Sequence, residues 1–513
     1  MEPHLLAGVG KADITAEPGA VIGDLLTEQA KPHIPRELWD KVIEVDDPLL
    51  AKALVLDNGS TRLALITMDV TAVGCRTTSQ NILDDSADDF IPRLSERLQA
   101  ELDIPPENVA VCASHTHPPG RTLCDDEEQL RRTFTAVQEA VQNLTSVVLG
   151  VGATQEERVS INRTSRTKNG RHKSGPWPDD EIESLGPVDT EVGVVRIDRL
   201  ERTPLAVVYD FSSHILMNSP NDNLSAGFPG VTSGFLEKNL GHGALAFFLQ
   251  GAFGDLMEIT CQYTERTNPR TTSETGLMLA QSVLNAHHDI HPAPGDFQVV
   301  SRTIELPLRR DIPKVVAALS QQQTEWAASL DHVNLDFKSF LLLYLQYHLF
   351  PEFPARPAMR YLRAAETGDP LPASVDRRNR LAMERYLGNL RLMENMARNE
   401  FDMRTLRKHQ EIVETLGGDT VPAQIQGLKI GEAVFITAPM EILTEVGFHV
   451  KEMSPFAHTY LISNVNGYYH YSPPASYYSL GSYEATECLL APEWEEIFYQ
   501  TVQDIFAQLQ SLE

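Results

Sequence analysis

Short apolar runs recur through the first part of the chain, separated by polar, Gly and Pro positions. Ala53–Leu56 and Leu63–Met68 flank Asn58-Gly59, a pairing that predicts two strands joined by a tight hairpin. Apolar residues at helical spacing follow over Ile91–Leu102, then strand-like Val109–Ala113, then a helical pattern over Glu127–Leu144. Val147–Val151, Val192–Ile197, Leu205–Phe211 and Ala244–Leu249 read as further strands, with helices near Ser233–Asn239 and Thr275–Ala286. Strands alternating with helices predict an α/β protein with mixed sheets rather than a regular βαβ series.

The pattern changes after Leu306. From Ile312 to Leu416 β-branched runs almost vanish and helical spacing dominates. Leu387, Leu390, Met393, Met396 and Phe401 are predicted to share one helix face, and Gly417-Gly418 to end that helix. Strand patterns return at Val421–Ile430, Ala433–Ala438 and Tyr460–Val465. Helices are predicted at Met440–Lys451 and near Glu493–Leu509. The chain thus reads as one α/β domain, mixed sheets flanked by helices, over residues 1–305 and 419–513, with a helical insertion at 306–418. The apolar run Phe340–Phe350 is expected to be either the insertion's own buried core or the underside of a lid.

Composition narrows the function classes. The apolar share of 42% in 513 residues supplies a large core. Lys and Arg number 43 against 71 Asp and Glu, a net charge of −28, which disfavours nucleic acid and anionic bilayers as partners. Five cysteines without a CxxC pair suit a reducing compartment. The first residues lack the basic and apolar regions of a secretory leader, and no apolar run is long enough to span a bilayer. A cytoplasmic location is therefore expected, without a transmembrane segment; oligomeric state is not legible.

Residues that bind metals or move protons fall at the ends of the predicted strands. Val109–Ala113 runs into Ser114-His115-Thr116-His117, and Leu205–Phe211 into Ser212-Ser213-His214. Ala244–Leu249 runs into Gly251-Ala252-Phe253-Gly254-Asp255, and Ala433–Ala438 into Pro439-Met440-Glu441. Tyr460–Val465 runs into Asn466-Gly467-Tyr468-Tyr469-His470-Tyr471. Ligands of α/β sheets bind beyond the carboxyl ends of strands, so five such endings predict one crevice. In an extended His115-Thr116-His117 the two imidazoles lie on one face about 7 Å apart, which suits a shared cation or substrate. Singly, each motif has a plain structural explanation as well. His287-His288-Asp289-Ile290-His291 ends a predicted helix, where the dipole favours histidine, and no strand points to it. GxSxG, HExxH, Walker A and strand-linked GxGxxG motifs are all missing, which removes the corresponding enzyme classes.

Taken in order, these segments resemble the neutral/alkaline, non-lysosomal ceramidase family of zinc amidases. The likeness is carried by Ala7-Gly8-Val9-Gly10-Lys11-Ala12-Asp13-Ile14-Thr15, Asn108-Val109 through His117, and Ile161-Asn162-Arg163. His214 to Asn218, Gly254-Asp255, Pro439-Met440-Glu441, Tyr468-Tyr469-His470-Tyr471 and Tyr483-Glu484-Ala485 continue it. The resemblance implies zinc held by His115, His214, Glu441 and Tyr471, with His117, Arg163 and Tyr483 beside the metal or facing substrate. Pro118-Pro119-Gly120 stands where the family usually has Ser and Gly, and Pro439-Met440-Glu441 where Pro-Gly-Glu is commoner. The family's carboxy-terminal immunoglobulin-like domain is expected to be missing, and the insertion has no counterpart.

The expected activity is zinc-dependent hydrolysis of an N-acyl amide bond, with short or aromatic soluble N-acyl compounds preferred to long-chain ceramide. Tyr483 and His117 would donate to the developing oxyanion, and His117 or Asp255 would protonate the leaving amine. Arg163 would alternatively bind a polar headgroup. An esterase or lactonase using the same metal, and a metal- or lipid-binding protein without turnover, are the rival readings.

Overall fold

The computed structural model describes residues 5–15, 45–74, 76–79, 86–117, 124–168, 170, 172–174, 181–216, 224–259, 271–354 and 357–512. Its strands in chain order are β1 (Leu6–Asp13), β2 (Leu50–Asp57), β3 (Arg62–Met68), β4 (Val109–Ala113), β5 (Thr145–Gln155) and β6 (Ser160–Asn162). Then come β7 (Thr164–Thr167), β8 (His172–Ser174), β9 (Ile182–Leu185), β10 (Glu191–Arg199), β11 (Pro204–Phe211), β12 (Leu245–Gln250) and β13 (Leu256–Glu258). The last are β14 (Phe297–Pro307), β15 (Thr420–Ile430), β16 (Ala433–Thr437), β17 (Glu441–Ile442), β18 (His458–Ile462) and β19 (Tyr471–Ser472).

An eight-stranded sheet has the order β12-β11-β10-β5-β1-β2-β3-β4, and a four-stranded sheet the order β14-β15-β16-β18. Most neighbours are antiparallel; β2 and β3 form the expected hairpin, with Gly59 in its turn at φ +82°. The parallel pairs β3–β4, β11–β12 and β16–β18 end in the residues singled out above. The mixed α/β class read from the sequence is borne out.

Four layers follow from which faces are apolar. Ala53, Ile66, Val111 and neighbours pack beneath the helices Phe90–Leu102 and Asp126–Gln142. Val207, Tyr209 and Phe248 pack beneath Gly227–Leu240 and Thr272–Asp289. The opposite face sets Leu54, Leu65, Val195 and Phe247 against Phe297, Leu428, Phe435 and Tyr460 of the smaller sheet. That sheet in turn lays Val434 and Ile436 on the helices Thr444–Met453 and Trp494–Ser511. Strands with apolar residues on both faces are those of sheets covered on both sides.

Two sequence expectations need correction. Glu441 does not open a helix: Glu441 and Ile442 pair in parallel with Tyr471 and Ser472, and the helix starts at Thr444. On the long helix Leu371–Leu416, Met393 and Phe401 are exposed, so the predicted apolar face is buried only in part.

The chain divides into a unit of Met1–Arg309 with Ile412–Glu513 and a helical unit of Arg310–Glu411. The helical unit contains Ile312–Ala328, Phe337–Leu349, Met359–Thr367 and most of Leu371–Leu416. Its core is Phe340, Tyr347 and Met383, with Tyr386, Leu387 and Leu390 against them. The run Phe340–Phe350 is therefore split, since Leu341, Leu342, Leu345 and Leu349 are exposed. No helix among the described residues is long and apolar enough to cross a membrane. Cys112, Cys124 and Cys488 are buried free thiols; Cys75 and Cys261 lie outside the described residues.

Candidate metal centre

Backbone geometry brings the strand ends together. Just past β4, His115 adopts φ +68°, a conformation a β-carbon disfavours, and its N–H donates to the Val70 carbonyl (2.8 Å). The His115 Nδ1–H donates to the Thr71 carbonyl (2.8 Å), which leaves the Nε2 lone pair free of a proton. His214, just past β11, does the same through Nδ1–H to the Leu256 carbonyl (2.7 Å). The two histidine loops are joined by a bridge between Thr116 and Ile215, and the His117 N–H donates to the Ile215 carbonyl. Pairing of β17 with β19 sets Glu441 beside Tyr471. The loop after β12 lies hard against β17: the Gly254 N–H donates to the Ile442 carbonyl (2.9 Å), and a β-carbon there would meet the Glu441 carbonyl at 2.9 Å.

Nitrogens and oxygens consequently converge. Glu441 Oε1 lies 3.4 Å from His115 Nε2, and Glu441 Oε2 lies 3.2 Å from His214 Nε2. The Tyr471 hydroxyl donates to His214 Nε2 (3.1 Å). His117 completes a group of three histidines whose ligand atoms all lie within 4.8 Å of one another. Beneath them Phe253 packs on the rings of His115 (4.7 Å) and His214 (4.6 Å).

Burial pushes His115 and His214 down to about 4 and His117 to about 3, so all three are neutral at ordinary pH. Burial also works against the Glu441 carboxylate, while the Tyr468 hydroxyl, which donates to Oε1 (2.5 Å), favours its charged form. The result is a carboxylate facing unprotonated imidazole nitrogens. His115 Nε2 and Glu441 Oε2 are buried acceptors without a hydrogen-bond donor, and His117 Nε2 is buried beside them without a partner. Acceptors gathered in this way repel one another unless a cation sits among them, and two imidazoles with a carboxylate are a common zinc donor set. The residues present fit a divalent metal.

The remaining predicted residues surround this cluster unequally. Arg163 lies with its guanidinium 5.3 Å from the Tyr471 ring and 5.4 Å from the Tyr483 ring. It donates to Glu484 (3.2 Å) and to the Gly254 carbonyl (2.8 Å). Burial raises the Tyr483 phenol well above its ordinary range, so it is a neutral O–H donor. Asp255 is turned to another task. Its carboxylate accepts from Thr444 N (2.8 Å), Thr444 Oγ1 (2.7 Å) and Asn162 Nδ2 (2.7 Å). It thereby caps the helix Thr444–Met453 and ties it to β6. Pro118-Pro119-Gly120, Met217 and Asn218 lie outside the described residues.

Thr71, Phe253, Asn464, Tyr468 and Glu484 are site residues whose parts the sequence did not reveal. Phe253, Tyr468 and Glu484 sit inside motifs that stood out, whereas the Thr71 carbonyl carries no side-chain signal. Asn464, at φ +56°, contacts His115 Nδ1 through its amide (2.9 Å) and only precedes such a motif.

The whole chain is similar in fold to solved ceramidase structures. A neutral ceramidase from Pseudomonas aeruginosa matches with a TM-score of 0.60 at 15% identity, over 100% of this chain and 75% of that one. A ceramidase complexed with C2 matches with a TM-score of 0.61 at 15% identity, over 99% and 75%. The fold implied by the motif resemblance is thus borne out. No protein-family model matches the chain, and no curated protein matches it by sequence.

Proposed function

We propose that the chain is a zinc-dependent hydrolase of N-acyl amides, with His115, His214, Glu441 and Tyr471 holding the metal. The observation that carries this reading is the buried pair of imidazole acceptors, His115 Nε2 and His214 Nε2, facing the Glu441 carboxylate at 3.4 and 3.2 Å. The likeness in fold to ceramidases supports the amide as substrate. Zinc bound there supplies a water of pKa about 7 and polarises the scissile carbonyl.

The chain's own groups do the rest. Tyr483, a neutral phenol, donates to the oxygen that gains charge as the amide carbon becomes tetrahedral. Arg163 adds positive charge beside Tyr471 and Tyr483 and ties the Gly254 carbonyl to Glu484. His117, neutral and with a ring nitrogen free of partners, would take the proton that the attacking water loses and give it to the leaving amine nitrogen. Asp255 acts by position, through Thr444 and Asn162, rather than on the leaving group.

Matched amides and esters from acetyl to palmitoyl, assayed with and without chelator, test the reading. Amine release that stops with chelator and returns with zinc supports it. Ester cleavage alone would move the chain to the esterase reading, and no turnover of any substrate would leave a binding protein.

A further inference from the structure

The helix Phe337–Leu349 is apolar on both sides. Phe340 and Tyr347 face the unit's core. Leu342, Leu345 and Leu349 follow Lys338 at helical spacing on an outward stripe, and Leu342 and Leu349 are 69% and 64% exposed. The helix Met359–Thr367 is tied to the same point: Tyr347 and Tyr361 both donate to the Asp376 carboxylate (2.7 and 3.0 Å), so their helices share one anchor. On its outer side Met359 and Leu362 are exposed, with Arg360 and Arg363 between and beyond them. From Phe337 to Arg363 the only acid is Glu352, with Asp336 and Glu366 at the two ends of the segment.

Charge is distributed to match. Arg310–Glu411 carries 15 Lys and Arg against 13 Asp and Glu, while the rest of the chain carries 28 against 58. We propose that this outward stripe with its flanking cations docks on anionic lipid surfaces, the leucines entering the headgroup boundary while Lys338, Arg360 and Arg363 meet lipid phosphates and carboxylates. A symmetric second copy is a poorer occupant, because it would bring the same cations face to face. This inference is independent of the hydrolase reading, since docking is measured without turnover.

The test is co-sedimentation of the full chain with vesicles of phosphatidylcholine, alone or mixed with phosphatidylserine, at low and high salt. The mixed vesicles are expected to bind the protein at least about tenfold more tightly than phosphatidylcholine alone, and high salt to remove most of that difference. The Leu342→Asn/Leu345→Asn and Arg360→Glu/Arg363→Glu variants should each lose about tenfold or more, with circular dichroism and melting unchanged. Failure of the wild type to bind, equal binding to both vesicle types, or variants that bind like the wild type would overturn the proposal. So would a dimer in solution that the leucine variants dissociate, which would give the face to a second copy.

Discussion

At the scale of single residues, the site depends on groups that differ in what their loss should change. Replacing His214 by Ala removes a nitrogen of the proposed ligand set, so metal content and amine release should fall together; a His214→Ala protein with full zinc occupancy would show the ligand set to be wrongly drawn. Tyr483→Phe removes only a hydroxyl, and kcat should drop about 10²–10³-fold while the metal stays. Wild-type turnover by that variant would end its role as donor. Tyr468→Phe strips the donor from Glu441 Oε1 and should weaken zinc binding about 10–100-fold, measured by competition with a chromogenic chelator; unchanged affinity would make that hydrogen bond irrelevant to the metal. Side chains of this kind were legible in the sequence because His115, His214, Glu441 and Tyr471 each follow an apolar strand. The Thr71 and Leu256 carbonyls that fix the imidazole tautomers were not, since any residue supplies a carbonyl and only the fold places it.

At the scale of elements, apolar runs located the strands well, because buried strands need β-branched and aromatic residues in succession. Glu441 shows where that signal stops. Two residues cannot display a period, and β17 exists because Tyr471, distant in sequence, offers a partner. The helix behind it begins only where Asp255 can accept from Thr444 N. Asp255→Ala should therefore leave buried donors on Thr444 and Asn162 without partners and lower stability by about 2–4 kcal/mol in denaturant titrations. A variant as stable as the wild type would contradict the brace. Next to β3, the buried Asp69 accepts from Leu50 N, and burial, opposed by Lys52, pushes its pKa up to about 6. The folded state holds this proton more tightly than the unfolded chain. Its contribution is complete below the unfolded value of 3.8 and is lost as pH rises through about 6. Asp69→Asn should flatten that part of the stability profile, and an unchanged slope would assign it to other groups.

At the scale of the whole molecule, averages mislead. The net charge of −28 argued against an anionic surface, yet it is carried outside Arg310–Glu411, and the apolar run that read as core or lid turns half its length outward. The expected preference for short soluble amides rested in part on that average, so the acyl-length series becomes the comparison that sets substrate class. The four layers of helix and sheet have one evident chemical consequence, the convergence of distant strand ends on a set of unprotonated acceptors. The most direct measurement strips the metal with chelator and titrates zinc back while recording amine release from an N-acyl substrate. Activity should return in proportion to zinc and level off at about one ion per chain. Full-rate hydrolysis by the metal-free protein, or zinc bound at one equivalent without any return of amine release, would contradict the account.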